Sequence, residues 1–257
     1  MSLIVTFHGP VEVTSYTDWL DTYPKGLGID VAVVVATSEI AAMQRWIDPS
    51  KIVYIPHGID TDRFRPEGQT LSADKLRVLT VGHHRRDWVV IHRTIDEINR
   101  RALDVEFHVV TAEHFFPYLT GCDNLVLHSR VSEAELVGLY RSADVLFLPV
   151  TNATANNSIL EALACGTPVI STLVGGIPDY VNEESGWLLP LGDVSAHVNL
   201  IASLAGEREL ARNRRKAART QALKFDWRCV AEQMIALYAR TKSRTSARMQ
   251  DPTATKA

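Results

Sequence analysis

Asn156–Val181, NNSILEALACGTPVISTLVGGIPDYV, decides how this chain folds. Asn156 or Asn157 suits a helix N-cap, Ile159 to Ala164 reads as a short apolar helix interrupted by Glu161, and Gly166 ends it. Pro168 to Ser171 then reads as a strand, and Gly175 with Gly176 as a turn that needs permissive dihedrals and close backbone approach. A helix amino end beside a strand end offers free N–H groups and roughly half a positive charge, which suits a phosphate. A carboxylate one turn into that helix suits sugar hydroxyls.

Working outward, short apolar runs recur at Leu3–Phe7, Val31–Ala36, Val78–Val81, Val105–Val110, Leu125–Leu127 and Val145–Leu148. Val31–Ala36 and Val145–Leu148 lack alternation, as strands buried on both faces of a parallel sheet do. The spacing between runs leaves room for a helix each time. Trp88, Ile91, Ile95 and Ile98 form one helical stripe, Ser132 with Glu135 makes a capping box before Leu136, Leu139 and Tyr140, and Asp226 suits the start of a last helix striped by Val230, Met234 and Leu237. Lys51–Gly68, with two prolines, two glycines and a charge cluster, reads as an interdomain connection. From about Thr241 the polar, aperiodic sequence predicts a disordered tail.

At 257 residues the chain holds one full α/β domain and part of another. Its 46% hydrophobic and 22% charged residues argue against the disordered and membrane-spanning classes, and no apolar run reaches the roughly 18 residues a membrane helix needs. A soluble protein is expected, with peripheral contact to a membrane surface left open. The net charge of -3, from 27 basic and 30 acidic residues, argues against nucleic acid as a partner. Cys122, Cys165 and Cys229 are far apart; Cys165 and Cys229 read as packed thiols in a reducing cytoplasm.

Several motifs fall in one order: VTFHGP (Val5–Pro10), ATSEIAAM (Ala36–Met43), IPHGIDTDRFRP (Ile55–Pro66), VSEAELVGLYRSADVLFLP (Val131–Pro149), and LEALACGTPVIST with VGGIPDYV (Leu160–Val181). In this order and spacing the chain, from about Leu3 to Arg240, resembles the retaining, group 1 (family 4) glycosyltransferases of the GT-B fold. The resemblance implies two Rossmann-like doubly wound domains facing a cleft, a nucleotide-sugar donor on the second and the acceptor on the first. The implied division is a partial N-terminal, acceptor-side domain over residues 1–56 and the nucleotide-sugar-binding domain over 57–225. A C-terminal helix over 226–240 crosses back, and the tail takes 241–257. Against the family pattern the first domain is short, since further strands and helices are expected ahead of Leu3. Its uncovered edge predicts self-association or a partner chain.

Site residues follow by position. Glu161 matches the second acid of the family's Glu-x7-Glu motif, which holds the donor ribose, and a carboxylate in an apolar helix favours a cleft-facing place over a core one. The first acid would fall at Ala153, so Thr151, Asn152 or Thr154 is left to substitute. The family's phosphate-binding Arg and Lys fall at His83 and Trp88 of GHHRRDW, so Arg85 and Arg86, in the same loop after Gly82, are the candidate bidentate phosphate ligands. A solvated basic turn is the competing reading. Asn156, Asn157 and Ser158 supply the helix end, His8 matches the cleft histidine beside the reacting carbon, and backbone groups of Arg130 and Val131 would read the base. His57 reads as a linker residue. His92, His108 and His197 lack metal-ligand spacing, so no catalytic metal or further cofactor is expected.

The expected function is transfer of a sugar, with retention, from a nucleotide diphosphate donor to a glycan or lipid-linked acceptor. His8, Arg85, Arg86 and Glu161 would be catalytic. A non-catalytic nucleotide-sugar-binding module, or the donor half of a split transferase, is the alternative, and a sugar-nucleotide epimerase a further one.

Overall fold

The computed structural model describes residues 2–10, 20, 28–67, 71 and 74–250, with side chains to residue 243. Two parallel sheets face each other through their strand carboxyl ends. Among the described residues the first has three strands, β1 (Leu3–Phe7), β2 (Ile29–Val34) and β3 (Ile52–Tyr54), in the order β1-β2-β3. The second has six, β4 (Leu76–Val81), β5 (Val105–Val110), β6 (Leu125–His128), β7 (Val145–Leu148), β8 (Val169–Thr172) and β9 (Gly186–Leu189), in the order β6-β5-β4-β7-β8-β9. Strand order therefore reverses between β4 and β7, the place where doubly wound sheets bind ligands.

Among the described residues the α-helices with assigned bounds are α1 (Glu39–Met43), α2 (Trp88–Arg100), α3 (Glu133–Ser142), α4 (Asn157–Ala164), α5 (Ile177–Tyr180), α6 (Val194–Gly206), α7 (Glu209–Arg212), α8 (Arg215–Leu223) and α9 (Trp227–Gln250). Alternate residues of β4 explain the layering: Leu76 and Val78 pack with α2 and α6, whereas Leu79 and Val81 pack with α3, α4 and α8. Ile91, Ile95 and Ile98 are fully buried on the striped face of α2, each contributing about 1.5–3 kcal/mol. The Ser132–Glu135 capping box forms as expected at the start of α3. Gly166, at φ +75°, ends α4.

The first sheet is covered on one face by α9 through Val230, Met234 and Leu237 against Val31, Val33 and Ile55. Asp226, before α9, accepts hydrogen bonds from the Arg228 amide at 2.8 Å and Arg228 Nε at 2.7 Å, and from Thr61. Three expectations change. The disordered tail from residue 241 is replaced, as far as Gln250, by the continuing α9; residues 251–257 lie outside the described residues. Cys229 is exposed rather than packed, because it lies off the Val230–Leu237 stripe, whereas Cys165 is buried. Gly186–Leu189 adds a strand that its short apolar run did not announce.

Candidate active site

β4 ends at Val81, and the chain turns through Gly82 (φ +82°) and Arg85 (φ +56°) into α2. Asp87 caps α2 by accepting from the Val90 amide at 3.0 Å. The turn is pinned to the loop after β7: Asp87 N donates to Pro149 O at 3.0 Å, and Thr151 N donates to Arg85 O at 3.0 Å. That loop leads directly into α4, whose Asn156 side chain accepts from the Ile159 amide. Asn157 at the first helical position is exposed, and Ser158 beside it is buried.

The Gly82 turn and the amino end of α4 meet through Arg86, whose Nη2 donates to Ser158 Oγ at 3.2 Å. The guanidinium is otherwise committed to the turn itself. Nε and Nη2 donate to Val81 O at 2.9 and 2.6 Å, and Nη1 donates to His84 O at 2.9 Å. Arg86 is 8% exposed, and burial pushes its pKa down to about 10 against the opposing pull of Tyr140 and Glu161. The bidentate phosphate contact expected of Arg86 is thus replaced by a buried strut. The reason is local: the left-handed turn aims the carbonyls of Val81 and His84 inward, and buried acceptors need donors. Arg85 remains half-buried, with its Nε 3.2 Å from His84 Nε2.

Glu161 lies one turn into α4, half-buried. Tyr140, fully buried on α3, donates its hydroxyl to Glu161 Oε2 at 2.7 Å. Among the described residues Oε1 has no hydrogen-bond partner, so one carboxylate oxygen is fixed and the other is open. Burial raises the Glu161 pKa above the ordinary glutamate value, while the Tyr140 bond and the Arg86 charge hold it down. Arg86, Ser158, Tyr140 and Glu161 form one continuous polar cluster at the switch point.

His8, at the end of β1, is exposed, and its carbonyl accepts from Thr154 Oγ1 at 2.6 Å, which sets it against the loop leading to α4. Ala153 is buried, and its carbonyl accepts from Gly176 N at 2.8 Å. A Cβ on Gly175 would come 2.2 Å from that carbonyl, and one on Gly176 would come 2.3 Å from Thr154 O, so close approach is what both glycines supply. Arg130 stands apart from the cluster: its exposed side chain pairs with Glu113 at 3.5 Å, and its backbone takes φ +52°. Val131 next to it packs on the core.

Sequence reasoning passed over the groups that join the two sheets. Asp179 accepts from Thr37 N at 2.7 Å and Thr37 Oγ1 at 2.6 Å. The Tyr180 hydroxyl donates to Val35 O at 2.5 Å and accepts from His57 N at 3.0 Å. Tyr140 was legible only as one of an apolar stripe; the signal available was that a buried tyrosine hydroxyl and a buried carboxylate each need a partner.

The sequence pattern of the family described as "Glycosyl transferases group 1" matches residues 75–207, more than half of the chain. The chain belongs to the group 1 glycosyl transferases. Over 105 residues this group 1 chain is 37% identical to a D-inositol 3-phosphate glycosyltransferase of Saccharomonospora viridis, covering 40% of the chain and 24% of that protein. Over 214 residues it is 26% identical to an MMP alpha-(1->4)-mannosyltransferase of Mycolicibacterium hassiacum, covering 78% and 51%. It spans about a quarter to a half of the length of these curated relatives. Among solved structures, sucrose-phosphate synthase from Thermosynechococcus elongatus superposes with a TM-score of 0.77 at 23% identity, over 94% of this chain and 68% of that one. The Anabaena protein Alr3699/HepE, in complex with UDP and glucose, gives 0.75 at 15% identity, over 93% and 72%. These likenesses establish the GT-B fold for the group 1 chain.

Proposed function

We propose that this chain is the donor-binding and catalytic part of a retaining glycosyltransferase, moving a sugar from a nucleotide diphosphate to a hydroxyl of a glycan or lipid-linked acceptor. The observation that carries the reading is the meeting of the Gly82 turn with the amino end of α4, through Arg86 and Ser158, beside a half-open Glu161. In this reading the open Oε1 accepts from the donor ribose, and the first-turn amides of Asn157 and Ser158 face the diphosphate. Charge developing on the departing diphosphate is met by Arg85 and the helix end, without a metal ion. His8 lies beside the reacting carbon, and the backbone of Arg130 and Val131 reads the base. Relatives named for transfer to inositol phosphate and of mannose, and a structural neighbour complexed with UDP and glucose, support a nucleotide-sugar substrate class.

A second reading, the donor half of a split transferase, draws on a first sheet of three strands among the described residues, with β1 at its edge. In that reading a partner chain or a second copy adds to that edge. A cytoplasmic site of action, with peripheral membrane contact for a lipid-linked acceptor, belongs to either reading.

Thermal melts against UDP, GDP and ADP and their sugars test both readings. Ligand at a hundred times its Kd stabilises by about 2.7 kcal/mol. A shift with donor hydrolysis or transfer supports the enzyme, and a shift without turnover supports the half-site. No shift with any nucleotide removes both.

A further inference from the structure

A line of aromatic rings leads away from the donor loop, and neither the family match nor the switch-point cluster accounts for it. His8 begins it, at the end of β1, with its carbonyl held by Thr154. The His57 ring follows, 5.8 Å from His8 edge-on, and then Trp227, 5.2 Å from His57 and tilted by 59°. His57 follows β3 in the connection between the sheets, and Trp227 opens α9, so three segments distant in sequence contribute one ring each.

Packing explains part of this. The Trp227 indole lies against Gly58, where any Cβ would fall 2.3 Å from Trp227 Cε3. It leaves two things over: Trp227 is still 47% exposed, and one nitrogen of His57 has nothing to do. His57 Nδ1 sits 2.9 Å from Gly58 O, which can only accept, so Nδ1 carries the proton and Nε2 of the neutral ring carries a lone pair. Burial keeps the ring neutral by holding its pKa below the usual histidine value. Nε2 has no partner among the described residues.

A flat apolar face with a hydrogen-bond acceptor beside it matches a pyranose, whose axial C–H groups form an apolar face and whose edge carries hydroxyl donors. We propose that His57 and Trp227 form a pyranoside-binding site, with His8 at its donor end, that seats the acceptor. The sugar ring stacks on the Trp227 indole, and one of its hydroxyls donates to His57 Nε2. The strip is longer than one sugar ring, which favours an acceptor ending in a saccharide over a small alcohol. The acceptor role rests on the transferase reading above; binding of the pyranoside itself does not.

The test uses the full chain and methyl α- and β-pyranosides of glucose, mannose and galactose, with sorbitol as the open-chain control, followed by saturation-transfer NMR. The expected result is saturable binding of at least one pyranoside, with saturation strongest on the C–H protons of one ring face and none on sorbitol. Trp227→Leu should weaken that binding at least tenfold, Trp227→Phe should retain it within several-fold, and His57→Gln should weaken it without abolishing the stacking pattern. If Trp227→Leu does not fold, as judged by circular dichroism, His57→Gln and Trp227→Phe carry the comparison. Absence of saturable pyranoside binding by the wild-type chain overturns the proposal. Binding that no replacement at residues 57 and 227 alters overturns it too. Nucleotide melts on the same samples keep the two readings apart: pyranosides without nucleotide binding leave the transferase reading to fail alone, and nucleotide without pyranoside binding leaves this one to fail alone.

Discussion

The Tyr140 hydroxyl, from α3, donates to Glu161 Oε2, on α4, at 2.7 Å. This bond fixes which carboxylate oxygen faces the cleft. A hydrogen bond to a charged group is worth about 1.5–3 kcal/mol. Tyr140→Phe should therefore weaken nucleotide binding by roughly tenfold, since about 1.4 kcal/mol is a factor of ten. Isothermal titration with the nucleotide that shifts the melt would check this, and an unchanged Kd would separate Tyr140 from the site.

Glu161 also sets a pH dependence. Its folded pKa is raised, chiefly by burial, so the ionised form is disfavoured relative to the unfolded chain. The sign follows: the group is most favourable below the unfolded glutamate pKa, and stability is lost as pH rises from there through the raised folded value. Glu161→Gln should melt at or above the wild-type temperature at pH 7 and lose that advantage in acid, while nucleotide binding falls at pH 7 and the deficit against wild type narrows as Glu161 is protonated. In the wild type, affinity should fall on acidification beginning above the ordinary glutamate range. Melts and titrations from pH 4 to pH 8 measure both.

Asp226 behaves in the opposite sense. Its hydrogen bonds from Arg228, with help from Thr61, hold its pKa well below the usual carboxylate range. Stability from such a group is present above the unfolded pKa and is lost as pH falls toward the depressed folded value. Asp226→Asn should destabilise the chain at pH 7 by about 0.5–1.5 kcal/mol, because asparagine keeps the helix cap but loses the charge in the hydrogen bonds from Arg228. The deficit against wild type should close only in strong acid, as denaturant melts at pH 7 and pH 2 would show.

Two glycine replacements should move stability in opposite directions. At Gly176 the backbone is ordinary, but an added Cβ would meet Thr154 O at 2.3 Å and Ala36 Cβ at 2.5 Å. Gly176→Ala should destabilise by about 1–3 kcal/mol and disturb the seat of His8. Gly138 is exposed inside α3 with nothing within 4 Å of its would-be Cβ. Gly138→Ala should stabilise by about 0.5–1 kcal/mol. Urea melts of the two variants decide it.

How far the residues could be read depended on the range over which each signal acts. The α3 capping box and the Gly166 stop were visible because they are settled within a few residues. The helix over residues 241–250 was missed because it has no apolar stripe. It needs none, since a helix already nucleated against the first sheet is extended at one hydrogen bond per residue fixed. Strand β9 was missed because four residues, GWLL, carry too little periodicity to separate strand from helix.

By itself, then, the sequence determined the alternation of apolar runs and caps that makes a parallel α/β chain, and it put a carboxylate and a helix end within a turn of each other at residues 156–161. Only the tertiary structure decided what those groups touch. Arg86 reads as a free cation in a basic turn, yet the inward carbonyls of Val81 and His84 consume its donors. Tyr140 reads as core, yet its hydroxyl orients Glu161. Local propensity acts over a few neighbouring residues, whereas a buried polar group takes its partner from whatever the fold brings within hydrogen-bond reach, here across 21 positions for Tyr140 and 72 for Arg86.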